Sequence, residues 1–315
     1  MESGNYSQVT EFILLGFSTD PNVQVIFFQI FLILYMTTAA GNLLLIMIVR
    51  SDRRLHNSMY IFLTNLSFLD ICFTSITIPN MLINSFREKR ISHAGCLTQV
   101  YGFLLLGETE CVLLAFMAFD RYVAISNPLR YNVIMKTTVC VRMIVASWLT
   151  GGVISSVDIY FLYQLRYCRV TTIDHFFCEA PSLMRISCND HSIHNVIKLI
   201  GSSILLLVPL SCILYSYSHI ILTVLKIHSG GYKAFSTCMS HLIIVILFYG
   251  SAIIMYMKPE SSEHLLDKLL SVFYTSVTPM MNPIIYSLRN KDVQGAIQNL
   301  WRSAVISKPH ILCSI

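Results

Sequence analysis

The sequence predicts an all-helical membrane protein that crosses the bilayer seven times. Of its 315 residues, 55% are hydrophobic and only 12% are charged, whereas a soluble domain carries about 25% charged residues. Seven mostly apolar stretches each reach the roughly 20 residues that a spanning helix needs. With ends defined only to within several residues, these stretches cover 25–49, 58–84, 97–121, 138–162, 196–225, 234–257 and 268–289.

The N-terminal segment, residues 1–24, does not resemble a cleavable signal peptide. It lacks a basic beginning, and "FILLGF" is too short for the apolar core of a signal. We therefore expect the first span to act as an uncleaved signal-anchor. Asn5 begins an Asn-Tyr-Ser triplet, which is a glycosylation acceptor if this end is extracellular, although such triplets also arise by chance.

The later spans are separated by charges, prolines or polar clusters. The fifth contains Pro209, and the seventh, which is the most polar, contains Pro279 and Pro283. Proline is tolerated in a spanning helix when neighbours satisfy the carbonyls that it frees. No connection is long enough for a soluble catalytic domain, so 25–289 is predicted to form one helix bundle.

The C-terminal region, residues 290–315, is predicted to be a cytoplasmic tail that begins with a short amphipathic helix. An ordinary polar tail is the alternative. The helix is indicated by apolar residues at helical spacing within 291–303, which suit a helix lying on the membrane face: Val293, Ala296, Ile297, Leu300 and Trp301.

Charge and cysteine together favour an extracellular N-terminus. In that orientation most of the 22 Lys and Arg residues are cytosolic, although "FREKR" at 86–90 falls outside. The net charge of +5 forms no basic tract, so no nucleic-acid partner is expected. Four cysteines would lie in or beside oxidising outer loops, where they should pair in one of three ways: Cys96, Cys168, Cys178 and Cys188.

The triplet Asp120, Arg121 and Tyr122 follows the apolar run "CVLLAFMAF". An isolated charge at bilayer depth is costly, so this pair must lie near the membrane surface or act inside the bundle. One interpretation is simple anchoring, with the arginine extending toward water. The other is an ionic latch that joins the inner ends of the helices and opens when the bundle opens.

Two deeper carboxyl groups, Asp70 and Glu110, lie midway along the second and third spans. Facing carboxylates repel unless they share a proton or bind a cation. A sodium ion with Ser67 and Asn282 as neutral ligands is one hypothesis, and a protonated, hydrogen-bonded carboxyl is the other.

Glu108 lies on a different face of the third span and could line a cavity with Phe103, Leu104, Gly107 and Cys111. A polar contact with a neighbouring helix is the alternative. In the seventh span, Asn282, Pro283 and Tyr286 indicate a weakened turn that acts either as a hinge or as a fixed kink.

Several motifs, in this order along nearly the whole chain, resemble those of odorant receptors, which are rhodopsin-like G-protein-coupled receptors. The motifs are "GN" at 41–42, "LHNSMYIFLTNLSFLD" at 55–70, "MAFDRYVAI" at 117–125, "KAFSTCMSHL" at 233–242 and "TPMMNPIIYSLRN" at 278–290.

The resemblance implies specific roles that spacing alone does not. It implies disulfides Cys96–Cys178 and Cys168–Cys188, and sodium near Asp70 and Glu110. It implies a receptor in the plasma membrane of olfactory sensory neuron cilia that raises cyclic AMP through a stimulatory olfactory G protein. The residues that it implicates in activation and coupling are Asp120, Arg121, Tyr122, Tyr217, Lys233, Ser236, His241, Asn282, Pro283 and Tyr286.

The same resemblance implies a ligand site between helices three, five, six and seven. Its lining is mostly apolar and suits a small, volatile, largely hydrophobic molecule; an ionised Glu108 would also admit an amine. The implied lining comprises Phe103, Leu104, Gly107, Glu108, Cys111, Ser202, Leu205, Leu206, Tyr249, Ala252, Ile253, Tyr256, Val272 and Thr275.

Four departures from the family pattern stand out. Ser58 replaces the usual proline, which should loosen a turn, Phe119 replaces a tyrosine, and Ser126 replaces a cysteine. The third inner loop, in "KIHSGGYKAF", is short and less basic than usual.

Other functional classes fit the sequence less well. A transporter needs a polar path, whereas the buried acids lie only in helices two and three, and an enzyme needs a matched nucleophile and base or a metal cluster. The nearer alternative is a receptor of the same fold for a non-odorant metabolite outside the nose.

Overall fold

The computed structural model describes residues 10–18, 20–85, 89–167, 171–188, 192–226, 231–257 and 264–306. Within parts of the later helices only the backbone is described, namely at 192–199, 231–237, 256–257, 264–266, 288–289 and 301–306. Asn5, Cys168 and residues 307–315 lie outside the described residues.

Helices dominate the described chain. They are α1 (Pro21–Ser51), α2 (Ser58–Asn84), α3 (His93–Ser126), α4 (Tyr131–Ile134), α5 (Thr137–Tyr163), α6 (Ala180–Arg185), α7 (Ser192–Lys226), α8 (Gly231–Met257), α9 (His264–Val272), α10 (Thr278–Arg289) and α11 (Lys291–Ile306). Three short strands accompany them: β1 (Glu11–Leu14), β2 (Arg90–Ser92) and β3 (Thr172–Ile173).

Six of the described helices are long and apolar enough to cross a membrane: α1, α2, α3, α5, α7 and α8. The seventh predicted span is also helical, but a π-turn at Phe273–Val277 divides it into α9 and α10, each too short to span alone. The predicted membrane bundle is therefore confirmed. The sequence had indicated a weakened turn at Pro283. The irregular π-turn instead lies upstream of that residue, at Phe273–Val277.

Local signals explain where several helices begin. Asp20 caps α1 by accepting a hydrogen bond from the Asn22 backbone N–H, and Pro21 occupies the first turn, where its missing N–H costs nothing. Ser92 caps α3 in the same way through Gly95. α3 ends at Ser126 rather than near 121, so Asp120 and Arg121 lie inside a helix and not at its end.

Helix α3 is the centre of the bundle and packs against α2, α5, α7 and α8. Its approach to α5 is close because Gly151 has no side chain. A Cβ at that position would lie 2.9 Å from the Leu105 carbonyl oxygen and 3.0 Å from the Thr109 backbone nitrogen. At the next residue, Gly152, a Cβ would lie 3.8 Å from a Leu105 methyl group, which is an ordinary contact.

Helix α1 compensates for the proline in α10. Pro283 has no N–H, so the carbonyl of Pro279, four residues earlier, loses its helical partner. The Asn42 side-chain amide donates to that carbonyl at 3.2 Å and to the Thr38 carbonyl at 3.1 Å. Gly41 lets the helices approach, because a Cβ there would lie 3.1 Å from Pro283 Cγ. A side chain of one neighbouring helix, α1, thus satisfies the freed carbonyl.

A small sheet covers one end of the bundle, here called the sheet end. Among the described residues, β1 lies between β2, which is antiparallel to it, and β3, which is parallel. Phe12 and Leu14 point inward and are buried, whereas Glu11 and Ile13 point outward. This sheet had not been predicted, because Phe12, Ile13 and Leu14 are all apolar and "EFIL" lacks the polar–apolar alternation that signals a half-buried strand.

Helix α11 follows α10 directly after Asn290. Val293 and Ala296 are buried and Ile297 is half-buried against the bundle, while Leu300 is exposed. The predicted amphipathic helix is therefore present, with its apolar face turned toward the other helices. The side chain of Trp301 lies outside the described residues.

Candidate functional site: a cavity, a polar core and a latch

A cavity of about 50 Å³ lies between α3, α7, α8 and the divided seventh segment. It is almost entirely apolar, with the carboxyl group of Glu108 as its acidic group. Its lining comprises Phe103, Leu104, Gly107, Glu108, Cys111, Leu205, Leu206, Phe248, Ala252 and Tyr274. The structure thus brings together all five residues nominated on the third span, and two lining residues, Phe248 and Tyr274, had not been predicted.

Other residues that the resemblance nominated lie away from this cavity. Tyr249 is turned toward the α3 backbone and donates its hydroxyl to the Cys111 carbonyl at 2.8 Å. Thr275 donates to the Ser271 carbonyl of its own helix at 2.7 Å. Ser202, Ile253 and Val272 do not line the cavity either. For Tyr249 and Thr275 the reason is local, because a backbone carbonyl satisfies each hydroxyl. The side chain of Tyr256 lies outside the described residues.

Glu108 is the chemically distinctive part of the cavity wall. Its side chain is only 6% exposed, and its Oε2 has no hydrogen-bond partner among the described residues. The carboxyl group of Asp158 on α5 lies beside it. Because an unpaired carboxylate is costly to bury, Glu108 must share a proton or meet a cation.

The wall nearest the sheet end is aromatic and is tied down covalently. Phe103 contacts Phe73, Phe177 and Tyr274, with ring centroids 5.1, 5.2 and 5.8 Å away. The next residue after Phe177 is Cys178, which forms a disulfide with Cys96 at the start of α3. Cys188 is also disulfide-bonded, but its predicted partner, Cys168, lies outside the described residues.

The segment above the cavity is held to the bundle by charges. Lys268 Nζ donates to Asp174 Oδ1 at 2.6 Å and to the Gly16 carbonyl at 2.9 Å. His175 is the next residue after Asp174; its Nε2 lies 3.7 Å from Glu179 Oε1, and its ring stacks on Phe176. Burial lowers the pKa of His175, and this effect outweighs the opposing influence of Glu179.

The polar core lies deeper along α2, α3 and α10. Asn282 Nδ2 donates to both carboxyl oxygens of Asp70, at 3.0 and 2.9 Å. Asn282 was predicted as a neutral ligand for a cation. Its amide nitrogen turns toward Asp70 because a carboxylate accepts hydrogen bonds, and its Oδ1 has no partner among the described residues. Glu110 is buried with Oε1 lacking a partner among the described residues, and Ser67 is buried as well.

Carboxylate oxygens are the ligands that a small hard cation prefers. Asp70 and Glu110 are the two acidic groups, and the orphaned Oε1 of Glu110 and Oδ1 of Asn282 remain available. Among the described residues, no group of three or more His, Cys, Asp or Glu side chains could hold a metal ion.

At the end opposite the sheet, Asp120 forms the centre of a buried cluster that we call the latch, made of Ser58, Asp120, Arg121 and Tyr131. Arg121 donates to Asp120 Oδ2 at 2.5 Å. Ser58 Oγ and Tyr131 Oη donate to Oδ1 at 2.7 and 2.9 Å and also contact each other. Burial raises the pKa of Tyr131 to about 12, so its hydroxyl stays protonated and able to donate.

The latch corrects the expectation for Ser58. Its substitution for proline does not leave a loose turn, because Ser58 is the first residue of α2, is buried, and bonds to Asp120. Tyr131 had not been predicted as a functional residue. The only available signal was its position in "SNPLRY", eleven residues after Asp120.

The other residues that the resemblance implicates in activation lie close to the latch. Tyr217 Oη on α7 meets His241 Nδ1 at 2.8 Å and donates to the Cys238 carbonyl of α8 at 3.1 Å. Tyr286 on α10 is buried, and its hydroxyl has no partner among the described residues. Tyr122 contacts His219 edge to face. The side chains of Lys233 and Ser236 lie outside the described residues.

A bundle of spanning helices with a lined cavity toward one end and a buried ion-pair cluster at the other has the architecture of a helical membrane receptor. A sequence profile described as "Olfactory receptor" matches residues 31–303. Human olfactory receptor 13C9 is 48% identical over 98% of this chain and 100% of its own length. Human olfactory receptor 2D2 is 49% identical over 95% and 98%, and rat olfactory receptor 1f45 is 44% identical over 95% and 97%.

The chain therefore belongs to the olfactory receptor family, a family of G-protein-coupled receptors and not of enzymes.

Proposed function

We propose that this protein is an odorant receptor that binds a small, mostly apolar volatile molecule in the cavity and activates a stimulatory olfactory G protein, raising cyclic AMP. One observation carries the proposal: α3 supplies both a wall of the cavity, through Phe103 to Cys111, and the Asp120 and Arg121 pair of the latch. A ligand that moves this helix acts on both places at once.

The cavity lining defines the chemistry of the ligand. One water molecule needs about 10–15 Å³ of such a cavity, so the cavity as it stands has room for only a few waters. An odorant must therefore displace lining side chains, of which Leu104, Leu205 and Leu206 are aliphatic. Each buried CH₂ contributes about 0.8 kcal/mol, so binding should be weak and should discriminate mainly by shape.

Glu108 adds one polar preference to this apolar site. A ligand amine could take the proton of the carboxyl group and leave an ammonium–carboxylate pair, which neutralises the acidic pair that Glu108 forms with Asp158. We therefore expect pentylamine to be favoured over pentan-1-ol, which has the same chain length.

Activation then requires the latch to open. In our proposal the sheet end is extracellular, Asn5 carries a glycan, and the latch end faces the cytosol of olfactory cilia. Arg121 leaves Asp120 and the G protein docks near His241, Lys233 and Ser236. A sodium ion between Asp70 and Glu110 would favour the resting state by neutralising the two acids.

The coupling experiment uses cells that express the receptor, the olfactory G protein and a cyclic AMP reporter, screened with volatile ligands. Arg121→Ala should abolish the ligand response while surface expression stays near the wild-type level. Arg142→Ala is the matched control, because Arg142 is an exposed arginine near the N-terminal end of α5. A normal response from Arg121→Ala would refute the role of the latch.

The ligand experiment compares pentylamine with pentan-1-ol in the same cells. Glu108→Gln keeps the side-chain shape and should selectively weaken the amine response, by about tenfold if about 1.4 kcal/mol of the pairing energy is lost. Asp158→Asn tests whether the amine response depends on Asp158 as well as on Glu108. Equal loss of both ligands in Glu108→Gln would show that Glu108 contributes shape and not charge recognition.

A further inference from the structure

The Asp120 carboxylate has partners from three separate elements. Arg121, its neighbour on α3, occupies Oδ2, while Ser58 from the start of α2 and Tyr131 from α4 both contact Oδ1. A carboxylate oxygen has two lone pairs, so Oδ1 can accept both hydroxyl protons at the same time. Asp120 is only 1% exposed, so water does not compete for these bonds.

The Ser58 hydroxyl is one of the departures from the family pattern noted in the sequence. The usual proline of that pattern has no side-chain donor. Here the hydroxyl of Ser58 donates to Asp120 and lies against the Tyr131 hydroxyl, and Asn57, not Ser58, occupies the cap position of α2. The carboxylate also lies at the N-terminal end of α2, where the helix dipole favours a negative charge.

We propose that Ser58 is a positioning residue that holds Asp120 in the closed latch and so lowers the ligand-independent activity of this receptor. The inference rests on the proposed coupling function for its signalling consequence, but its structural part does not. Ser58 fixes the Oδ1 side of Asp120, which leaves Oδ2 aligned with Arg121. Removing the hydroxyl releases one of three attachments and favours the open state.

The expected size of the effect follows from the bonding. A hydrogen bond to a carboxylate is among the stronger ones in proteins, and its loss should change the ratio of closed to open receptor by roughly tenfold. When the open state is a small minority, its population rises by nearly the same factor. We therefore expect Ser58→Ala to raise basal cyclic AMP per surface receptor several-fold and up to about tenfold.

The signalling test compares variants of the full-length receptor without ligand, normalised to surface amount. Ser58→Thr keeps the hydroxyl and should restore low basal activity. Thr64→Ala is the matched control, because the Thr64 hydroxyl lies on the same helix but bonds only the Tyr60 carbonyl at 2.8 Å. Ser58→Pro is the second loss-of-hydroxyl variant, since proline is tolerated at the first position of a helix, and it decides the outcome if Ser58→Ala fails to reach the surface.

A second readout needs no G protein. Cys238 on α8 is buried beside the latch, where its carbonyl accepts the Tyr217 hydroxyl. Opening of this end should expose its thiol, so the rate of maleimide labelling of Cys238, read from the peptide by mass spectrometry, should rise several-fold in Ser58→Ala. In Ser58→Thr and Thr64→Ala the rate should match wild type.

The two readouts distinguish failure of the Ser58 assignment from failure of the proposed coupling. Faster labelling without any cyclic AMP from wild type or variant would support the Ser58 assignment and refute the proposed coupling. Unchanged or slower labelling in both Ser58→Ala and Ser58→Pro would overturn the assignment. A raised basal signal that Ser58→Thr fails to reverse would also overturn it, because the hydroxyl would not be the cause.

Discussion

The contact between Asn42 and the Pro279 carbonyl is the most direct test of how this bundle tolerates its prolines. Asn42→Ala removes the amide that donates to Pro279 at 3.2 Å and leaves that carbonyl buried without its partner. An unsatisfied buried acceptor costs about 1–3 kcal/mol. Because Asn42 is fully buried, water cannot replace the lost donor without a rearrangement.

The same reasoning predicts that the cost depends on Pro283. In a Pro283→Ala background, residue 283 regains an N–H that can donate to the Pro279 carbonyl, as in a regular helix. Asn42→Ala should then cost about 1–2 kcal/mol less than it does in wild type. A double-mutant cycle isolates this coupling from the other effects of each substitution, including the loss of Pro283 packing against Gly41.

The assay is thermal unfolding of detergent-purified receptor, followed by tryptophan fluorescence. A loss of about 1–3 kcal/mol should lower Tm by roughly 2–6 °C in a chain of this size. Asn84→Ala is the control, because that amide bonds only within its own helix, to Asn80. An Asn42→Ala shift of equal size with and without Pro283 would refute the idea that Asn42 replaces the missing helical donor.

Two further predictions follow from packing and from burial. Gly151→Ala should destabilise the bundle by about 1–3 kcal/mol, because the added Cβ meets α3 backbone that cannot move aside. Gly152→Ala should be tolerated in the same melting assay. Equal shifts in Tm for the two variants would contradict the close approach of α3 and α5. Since burial lowers the pKa of His175, the unfolded chain binds a proton there more readily than the folded chain. Stability should therefore fall as the pH drops through the ordinary histidine value of about 6.5. His175→Phe should flatten this loss between pH 7.5 and 5.5, and an unchanged slope would show that other groups cause it.

The spanning helices were predictable because the bilayer imposes a length and a composition that a single sequence displays. The second span was predicted as 58–84 and is observed at Ser58–Asn84, since polar residues flank it closely. The third was predicted to end near 121 and continues to Ser126. Its charged pair suggested an end, yet burial among α2 and α4 lets the helix run past it. The π-turn at Phe273–Val277 leaves no comparable sequence signal.

The candidate site was only partly predictable, and the reason is physical. A charge inside an apolar stretch is visible in the sequence, so Asp70, Glu108 and Asp120 could be selected as polar residues that need partners. The partner itself is chosen by three-dimensional packing. Asn282 therefore meets Asp70 with its nitrogen and not its oxygen, because the approach of α10 to α2 and the acceptor character of a carboxylate decide the orientation of the amide.

Ser58 shows most clearly that three-dimensional packing determines the effect of a side chain. Judged by local propensity, a serine in place of proline at a helix start removes a constraint and should loosen the chain, since proline restricts the backbone there. The bundle instead brings Asp120 within 2.7 Å of the new hydroxyl, and the substitution adds a bond between α2 and α3. A change that weakens local order can thus strengthen a tertiary contact, because the hydroxyl's effect depends on the acceptor that another helix places beside it.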